Sequence, residues 1–187
     1  MTEPFEDLLV AVCGPLDDAG VTYAITGSVV SSIFGEPVTS IDVDICLRMS
    51  PDAARKLAQS LPSRFYRDEE AIVDAAVHGG MANLIDTRTH LKVYLSVLPR
   101  EAYYDSVLAR RVRVAYGVGG AAFWTVSPED IVLMKLIWRR ESKSQKQWDN
   151  ALSVVRAQGH RFDIEYARRW ADELGLGEDL HRLVGEV

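Results

Sequence analysis

One short run of residues, positions 41–47, constrains the fold of this 187-residue chain more than any other part of it. Four branched apolar side chains occupy every second position: Ile41, Val43, Ile45 and Leu47. Asp42 and Asp44 lie between them. Because successive side chains of a β-strand point to opposite faces, this alternation predicts a strand with one apolar face and with both carboxylates on the other.

The segments around this strand predict a chain that mixes strands with helices and then ends in helices alone. A short buried strand is predicted over residues 21–25, and Gly27 interrupts it before a helix over residues 28–34 that Ser28 is expected to cap. Further strands are predicted at residues 81–86, 90–97, 112–116 and 121–126. Further helices are predicted at residues 5–18, 51–61, 69–77 and 100–109, with Pro15 kinking or ending the first of them.

From Ser127, another predicted N-cap, only helices follow, including residues 144–157, 164–174 and 178–184. We therefore predict an α/β (α+β) fold. Residues 1–126 would form a mixed β-sheet flanked by helices, and residues 127–187 would form a helical C-terminal segment packed on that core within a single domain.

Charge and hydropathy limit the classes of partner. The net charge is −6, so a cationic surface over the whole protein is not expected. Residues 135–146 differ, with five basic residues and one acidic residue, and form either an anion-binding patch or a solvated helix face. No apolar run approaches the roughly 18 residues of a membrane span. The acidic residues 1–7 are unlike a secretory signal, so we expect a cytoplasmic protein with no membrane partner.

The two aspartates and the glycine turn before them point to phosphate chemistry. On one strand face, the Asp42 and Asp44 side chains would project about 6–7 Å apart, and two carboxylates with substrate phosphates suit Mg²⁺. Gly27 and Ser28 lie where a strand gives way to a helix, a position that presents backbone N–H groups to an anion. The alternatives are acids that solvate a strand face and an ordinary serine-capped turn.

The spacing of these motifs resembles the signature of the nucleotidyltransferase (polymerase-β-like) superfamily. The residues that carry the resemblance are Tyr23-Ala-Ile-Thr-Gly27-Ser28 and Ser40-Ile-Asp42-Val-Asp44-Ile45. A downstream pattern resembles the branch that contains AbiEii-type toxins. It comprises Ser127-Pro-Glu-Asp130, Lys135, Arg139, Arg140, Lys146 and Asp149.

The resemblance implies an Mg²⁺-dependent enzyme that transfers a nucleotidyl group from a nucleoside triphosphate to a hydroxyl acceptor. The acceptor would be an RNA end, a protein or a small molecule, and a cognate antitoxin is an implied partner. Asp42 and Asp44 would hold the metal, and Gly27, Ser28, Lys135 and Arg139 would bind the nucleotide, with Lys135 also counted as catalytic. Lys135 is the only charged residue in positions 131–138, so it either extends to solvent or meets an anion.

The chain departs from the superfamily pattern at the position of a third carboxylate, where Tyr94 appears. A phenol is a poor Mg²⁺ ligand and a poor base at neutral pH. Asp86, across a predicted hairpin, is an alternative third carboxylate. The basic residue often found before the aspartates is replaced by Thr39 and Ser40. The sequence therefore leaves open a second interpretation, a catalytically silent module that binds a nucleotide or a partner.

Overall fold

The computed structural model describes residues 4–187, so Glu3 of the acidic N-terminal stretch lies outside the described residues. The strands are β1 (Thr22–Thr26), β2 (Asp42–Arg48), β3 (Phe65–Tyr66), β4 (Gly80–Asp86), β5 (Lys92–Val97), β6 (Val112–Tyr116) and β7 (Ala121–Thr125). The helices are α1 (Pro4–Asp18), α2 (Gly27–Phe34), α3 (Pro51–Ser60), α4 (Glu69–His78), α5 (Ala102–Ala109), α6 (Pro128–Ser142), α7 (Gln145–Gln158), α8 (Ile164–Glu173) and α9 (Gly177–Gly185). A 3₁₀ turn, Gly159–Arg161, follows α7.

The seven strands form one mixed sheet in the order β3-β4-β5-β2-β1-β7-β6. β2 runs parallel to β5, and β1 runs parallel to β7. The hairpins β4–β5 and β6–β7 are antiparallel, as is the pair β3–β4. The predicted mixed α/β fold with a helical C-terminal segment is therefore confirmed. No helix within residues 4–187 is both long enough and apolar enough to cross a membrane.

The chain divides into two compact units. The first contains the residues up to Ile25 together with Ile41–Thr125, and it holds the sheet with α1, α3, α4 and α5. The second contains Thr26–Ser40 and Val126–Val187, and it holds α2 and the helices α6 to α9. The predicted division into residues 1–126 and 127–187 within a single domain stays a prediction.

In the first unit, one face of the sheet forms the core. Val43 and Ile45 of β2 are fully buried, and Leu84, Val93 and Leu95 on the neighbouring strands are no more than 1% exposed. α4 packs against β4 and β5, and α3 packs against α4 and α1. Burial of branched side chains of this size stabilises a fold by roughly 1.5–3 kcal/mol each, which explains why the alternating pattern of β2 sets its orientation.

α1 continues through Pro15 to Asp18, although a proline inside a helix removes a hydrogen bond. Leu16, which follows the proline, is fully buried, and the Val21 amide closes the end of the helix by donating to the Leu16 carbonyl at 2.9 Å. Of the two outcomes predicted for Pro15, termination of the helix at this residue is therefore wrong. Packing of the last turn against the sheet unit outweighs the proline.

The second unit is a small helical assembly in which α6 and α7 make the largest contact and α2 packs against both. Ser127 caps α6, since its hydroxyl accepts the Asp130 amide at 3.1 Å and donates to the Asp130 carboxylate at 2.8 Å. The other Asp130 oxygen accepts the Tyr166 hydroxyl at 2.8 Å, which ties α6 to α8. The predicted Ser127 cap is thus confirmed, and it is part of a buried polar network.

Candidate functional site

The two aspartates lie on β2, which is near the middle of the sheet between β5 and β1. Asp42 and Asp44 are half-buried, whereas Val43 between them is fully buried on the core side. Both carboxylates therefore project from the face of β2 that is opposite to the core of the first unit. The strand begins at Asp42, one residue after the predicted start, and this shift leaves the facing of each side chain unchanged.

The strand register defines the neighbours of the aspartates. Asp44 pairs with Tyr94 of β5, and Tyr94 pairs in turn with Asn83 of β4. Asp42 pairs with Lys92. Paired residues on adjacent strands project to the same face about 4.8 Å apart, so Tyr94 and Lys92 flank the two carboxylates directly. Lys92 is exposed and Tyr94 is half-buried.

Asp86, the alternative third carboxylate, points to the other face of the sheet. It is 1% exposed and pairs in register with the buried Phe65. Its carboxylate lies 3.2 Å from Nε of Arg64 and accepts the backbone N–H of Arg88 at 2.9 Å. Alternation along β4 places it opposite Asn83 and hence opposite Tyr94. Asp86 is therefore part of an internal ion pair and lies away from the aspartates of β2.

The donor set on this face suits one hard divalent cation. Two half-buried carboxylates leave most positions of an octahedral Mg²⁺ site for water or substrate phosphate oxygens, which is how Mg²⁺ is usually held. Within residues 4–187, no group of three or more His, Cys, Asp and Glu side chains could hold a metal ion. Asp42 and Asp44 therefore fit a metal ion whose remaining coordination positions are filled by substrate oxygens. They do not form a site in which the protein supplies every ligand.

Gly27 and Ser28 lie in the second unit, at the start of α2. Gly27 has φ of 73°, a left-handed conformation that glycine adopts readily, and it is the first residue of the helix. The N-cap is therefore Thr26. The sequence pattern predicted Ser28 as the cap, and that prediction is wrong. Thr26 makes no side-chain hydrogen bond to the helix, and its hydroxyl donates instead to Sδ of Met134 at 3.2 Å. First-turn N–H groups of α2 are consequently not satisfied by their N-cap side chain.

Lys135 also belongs to the second unit, on α6, and it is only 2% exposed. Its Nζ lies 5.3 Å from the centre of the Trp138 ring, a cation–π distance. A lysine that extends its ammonium to solvent would retain far more exposed surface, so this alternative does not describe Lys135. A buried ammonium needs compensating partners, and α6 also buries the carboxylates of Glu129 and Asp130.

Arg139, one turn after Lys135, is held by aromatic and acidic neighbours in the same unit. Its guanidinium lies 4.6 Å from the Trp148 ring centre and 3.4 Å from the Asp179 carboxylate. Arg182 lies against Trp148 as well, at 4.9 Å. Within the basic residues of positions 135–146, Arg139 therefore has a structural role that links α6, α7 and α9. The sequence pattern did not reveal this role, because Asp179 is distant from Arg139 along the chain.

Comparison with known proteins supports the architecture. No family model and no curated protein sequence matches the chain. Among solved structures, the antibiotic-resistance factor ANT(2″)-Ia matches with a TM-score of 0.56 and 14% identity, over 94% of this chain and 95% of that one. A crystal structure of ANT(2″)-Ia with adenylyl-2″-tobramycin matches with a TM-score of 0.55 and 14% identity, over 89% of this chain and 96% of that one.

A nucleotidyltransferase-like protein from Paracoccidioides brasiliensis, described as antigenic, gives a TM-score of 0.54 and 16% identity, over 96% of this chain and 91% of that one. A candidate nucleotidyltransferase from Thermotoga maritima matches with a TM-score of 0.52 and 18% identity, over 80% of this chain and 96% of that one. At these identities the likeness concerns the fold. The chain has the nucleotidyltransferase fold.

Proposed function

We propose that this chain is an Mg²⁺-dependent nucleotidyltransferase that moves a nucleotidyl group from a nucleoside triphosphate to a hydroxyl acceptor and releases pyrophosphate. One observation carries the proposal: within a nucleotidyltransferase fold, Asp42 and Asp44 project from the same face of a central strand. That arrangement is what a metal shared between protein carboxylates and triphosphate oxygens requires.

In this proposal Asp42 and Asp44 hold Mg²⁺, which supplies charge neutralisation to the phosphates when it is bound. Tyr94, beside Asp44, occupies the position of a third carboxylate and offers a hydroxyl for hydrogen bonding. Gly27, Ser28, Lys135 and Arg139 are assigned to nucleotide binding by the resemblance, and these roles stay predictions. The main contribution of such a site is positioning and electrostatic stabilisation of the nucleotidyl group during its transfer.

The acceptor remains one of three classes: an RNA end, a protein or a small molecule. The complex of ANT(2″)-Ia with adenylyl-2″-tobramycin supports the small-molecule class. The downstream resemblance to AbiEii-type toxins supports an RNA or protein acceptor and a toxin–antitoxin role with a cognate antitoxin. The purified chain can be incubated with labelled nucleotide and, in separate reactions, with total RNA, a cell lysate or a panel of hydroxylated small molecules. The reaction in which label is transferred identifies the acceptor class.

A second candidate function is a catalytically silent module that binds a nucleotide or a partner. The position of Tyr94 favours it, because the residue paired with Asp44 is a phenol and the sheet face then offers two carboxylates where three are expected. This candidate predicts nucleotide binding without turnover, whereas the enzyme predicts both.

Thermal stability with each nucleoside triphosphate, with and without Mg²⁺, tests the proposal. A ligand that binds the folded state stabilises it by about 2.7 kcal/mol at a hundredfold excess over Kd. Asp42→Asn and Asp44→Asn should remove the Mg²⁺-dependent part of the shift, while Asp18→Asn, a change of the same charge at the exposed end of α1, should not. Pyrophosphate release then separates the enzyme from the silent module. An unchanged Mg²⁺-dependent shift in both aspartate variants would rule out the metal site.

A further inference from the structure

The first unit contains a cavity at the end of β2 that is remote from the two aspartates. Its volume is about 420 Å³, within the range of roughly 300–1,000 Å³ that is usual for small-molecule sites. The last residues of the parallel strands β2 and β5, Arg48 and Val97, contribute to its wall. Arg48 follows Asp44 by four residues, which corresponds to about 13 Å along a strand. The cavity is thus distinct from the aspartate site.

The position of the cavity within the sheet favours a ligand. In open α/β sheets, ligands bind outside the carboxyl ends of parallel strands. β2 and β5 are adjacent and parallel, and their carboxyl ends meet at this cavity. The chain enters β4 on the same side through Gly79 and Gly80, which have φ of 78° and 112°. A Cβ at either glycine would meet no atom within 4 Å, so the wall is open at this point.

The lining combines an apolar wall with positive charge. Val77, Val97, Leu98 and Pro99 supply apolar surface, and Val77 is 55% exposed. The ionisable residues of the lining are Arg48, His78 and Arg100, and none of the lining residues is acidic.

Two of these three basic groups already have carboxylate partners. Arg48 is paired with Asp105 and donates to the Pro99 carbonyl at 2.6 Å, which fixes its guanidinium. His78 lies 2.8 Å from the Asp74 carboxylate. Arg100 is exposed, and the described part of the chain shows no ion pair for it. Arg100 is therefore the cation at this cavity whose charge is left for an incoming group.

We propose that this cavity is a second ligand site, which takes a small organic anion with an apolar body: a carboxylate, sulfonate or phosphate ester whose apolar part lies on the valine, leucine and proline wall. Arg100 contacts the anionic group, and the Arg48 guanidinium, held by Asp105 and the Pro99 carbonyl, forms a fixed polar edge. The ligand is separate from the nucleotide and from the acceptor of the proposed transfer reaction, so the site stands independently of that proposal.

Binding of 8-anilinonaphthalene-1-sulfonate, an apolar sulfonate whose fluorescence rises in apolar surroundings, tests the site in the full chain, with octyl phosphate as competitor. We expect saturable binding to the folded protein that octyl phosphate displaces. Arg100→Gln should weaken it about three- to tenfold through loss of a charge-assisted contact. Val77→Asp should weaken it at least as much, because it places a negative charge on the apolar wall.

Matched controls separate the cavity from general surface effects. Lys56→Gln removes an exposed positive charge elsewhere, and Val10→Asp adds an acid at a valine that is 48% exposed on α1; neither should change the affinity. Asp42→Asn should also leave dye binding unchanged, which keeps this result distinct from the fate of the transferase proposal. Absence of saturable binding, or equal affinity in Arg100→Gln, Val77→Asp and their controls, would overturn the inference. Unchanged thermal midpoints verify that each variant is folded.

Discussion

Removal of either partner of the Arg64–Asp86 ion pair should destabilise the first unit without touching the aspartate site. Asp86 is 1% exposed and the Arg64 side chain is 14% exposed, with 3.2 Å between Nε and the carboxylate. Arg64 also pairs with Asp7 at 2.6 Å, so it connects α1 to the residue that directly precedes β3. Removing one partner of a buried pair typically costs about 3–5 kcal/mol, because the other charge stays buried without compensation.

The two single variants should differ in magnitude. Arg64→Met leaves the buried Asp86 carboxylate with only the longer contact to Arg88, whose Nε lies 3.9 Å away, so we expect a loss of up to about 3–5 kcal/mol and a fall in Tm of up to roughly 6–20 °C. Asp86→Asn keeps an oxygen that can accept the Arg88 amide, and Arg64 keeps Asp7, so the expected loss is about 1–3 kcal/mol. The double variant should lose less than the sum, because no uncompensated carboxylate remains.

Urea unfolding followed by tryptophan fluorescence measures these free energies. Asp74→Asn is the control, because Asp74 is 70% exposed and its partner is an exposed histidine; its effect should stay within about 0.5 kcal/mol. Mg²⁺-dependent nucleotide binding should survive Asp86→Asn in the fraction that is folded. If Asp86→Asn instead abolished that binding and left the unfolding free energy unchanged, the assignment of Asp86 to the opposite face would be refuted.

Three further predictions follow from single contacts. Tyr94→Asp places a third carboxylate beside Asp44 and should tighten Mg²⁺ binding at least about tenfold in calorimetric titration, whereas Tyr94→Phe should leave it unchanged. Gly117→Ala should lower the free energy of unfolding in urea by about 2–4 kcal/mol, because φ is 75° and the new Cβ would clash with the buried Glu6 carboxylate. Gly120→Ala is its control: φ is 70° but the space around the new Cβ is open, so the loss should be only about 1 kcal/mol. Burial raises the pKa of the Cys13 thiol from 9.0 to about 12, so the unfolded chain ionises first and stability falls as pH rises above 9. The stability advantage of the wild type over Cys13→Ala should therefore shrink by about 1 kcal/mol between pH 8.5 and 10; an advantage independent of pH would contradict a buried neutral thiol.

The sequence was sufficient for features that depend on neighbouring residues. Alternation along β2 placed Asp42 and Asp44 on one face, and the side-chain chemistry of Ser127 predicted the start of α6. Each of these signals is contained within a few residues, since a strand face follows from a period of two and a cap from one hydroxyl and one amide. The resemblance to nucleotidyltransferases rested on such local motifs, and it was enough to anticipate the fold.

What depends on distant partners was decided only by the tertiary structure. The pairing of Tyr94 with Asp44 requires the register of two parallel strands, and the facing of Asp86 requires its contact with Arg64. The two-residue strand β3 carries no periodic signal, and it forms because β4 offers an edge to pair with. Such choices are made by burial and hydrogen bonding between segments that are far apart in sequence, and local patterns do not encode which partner a segment will meet.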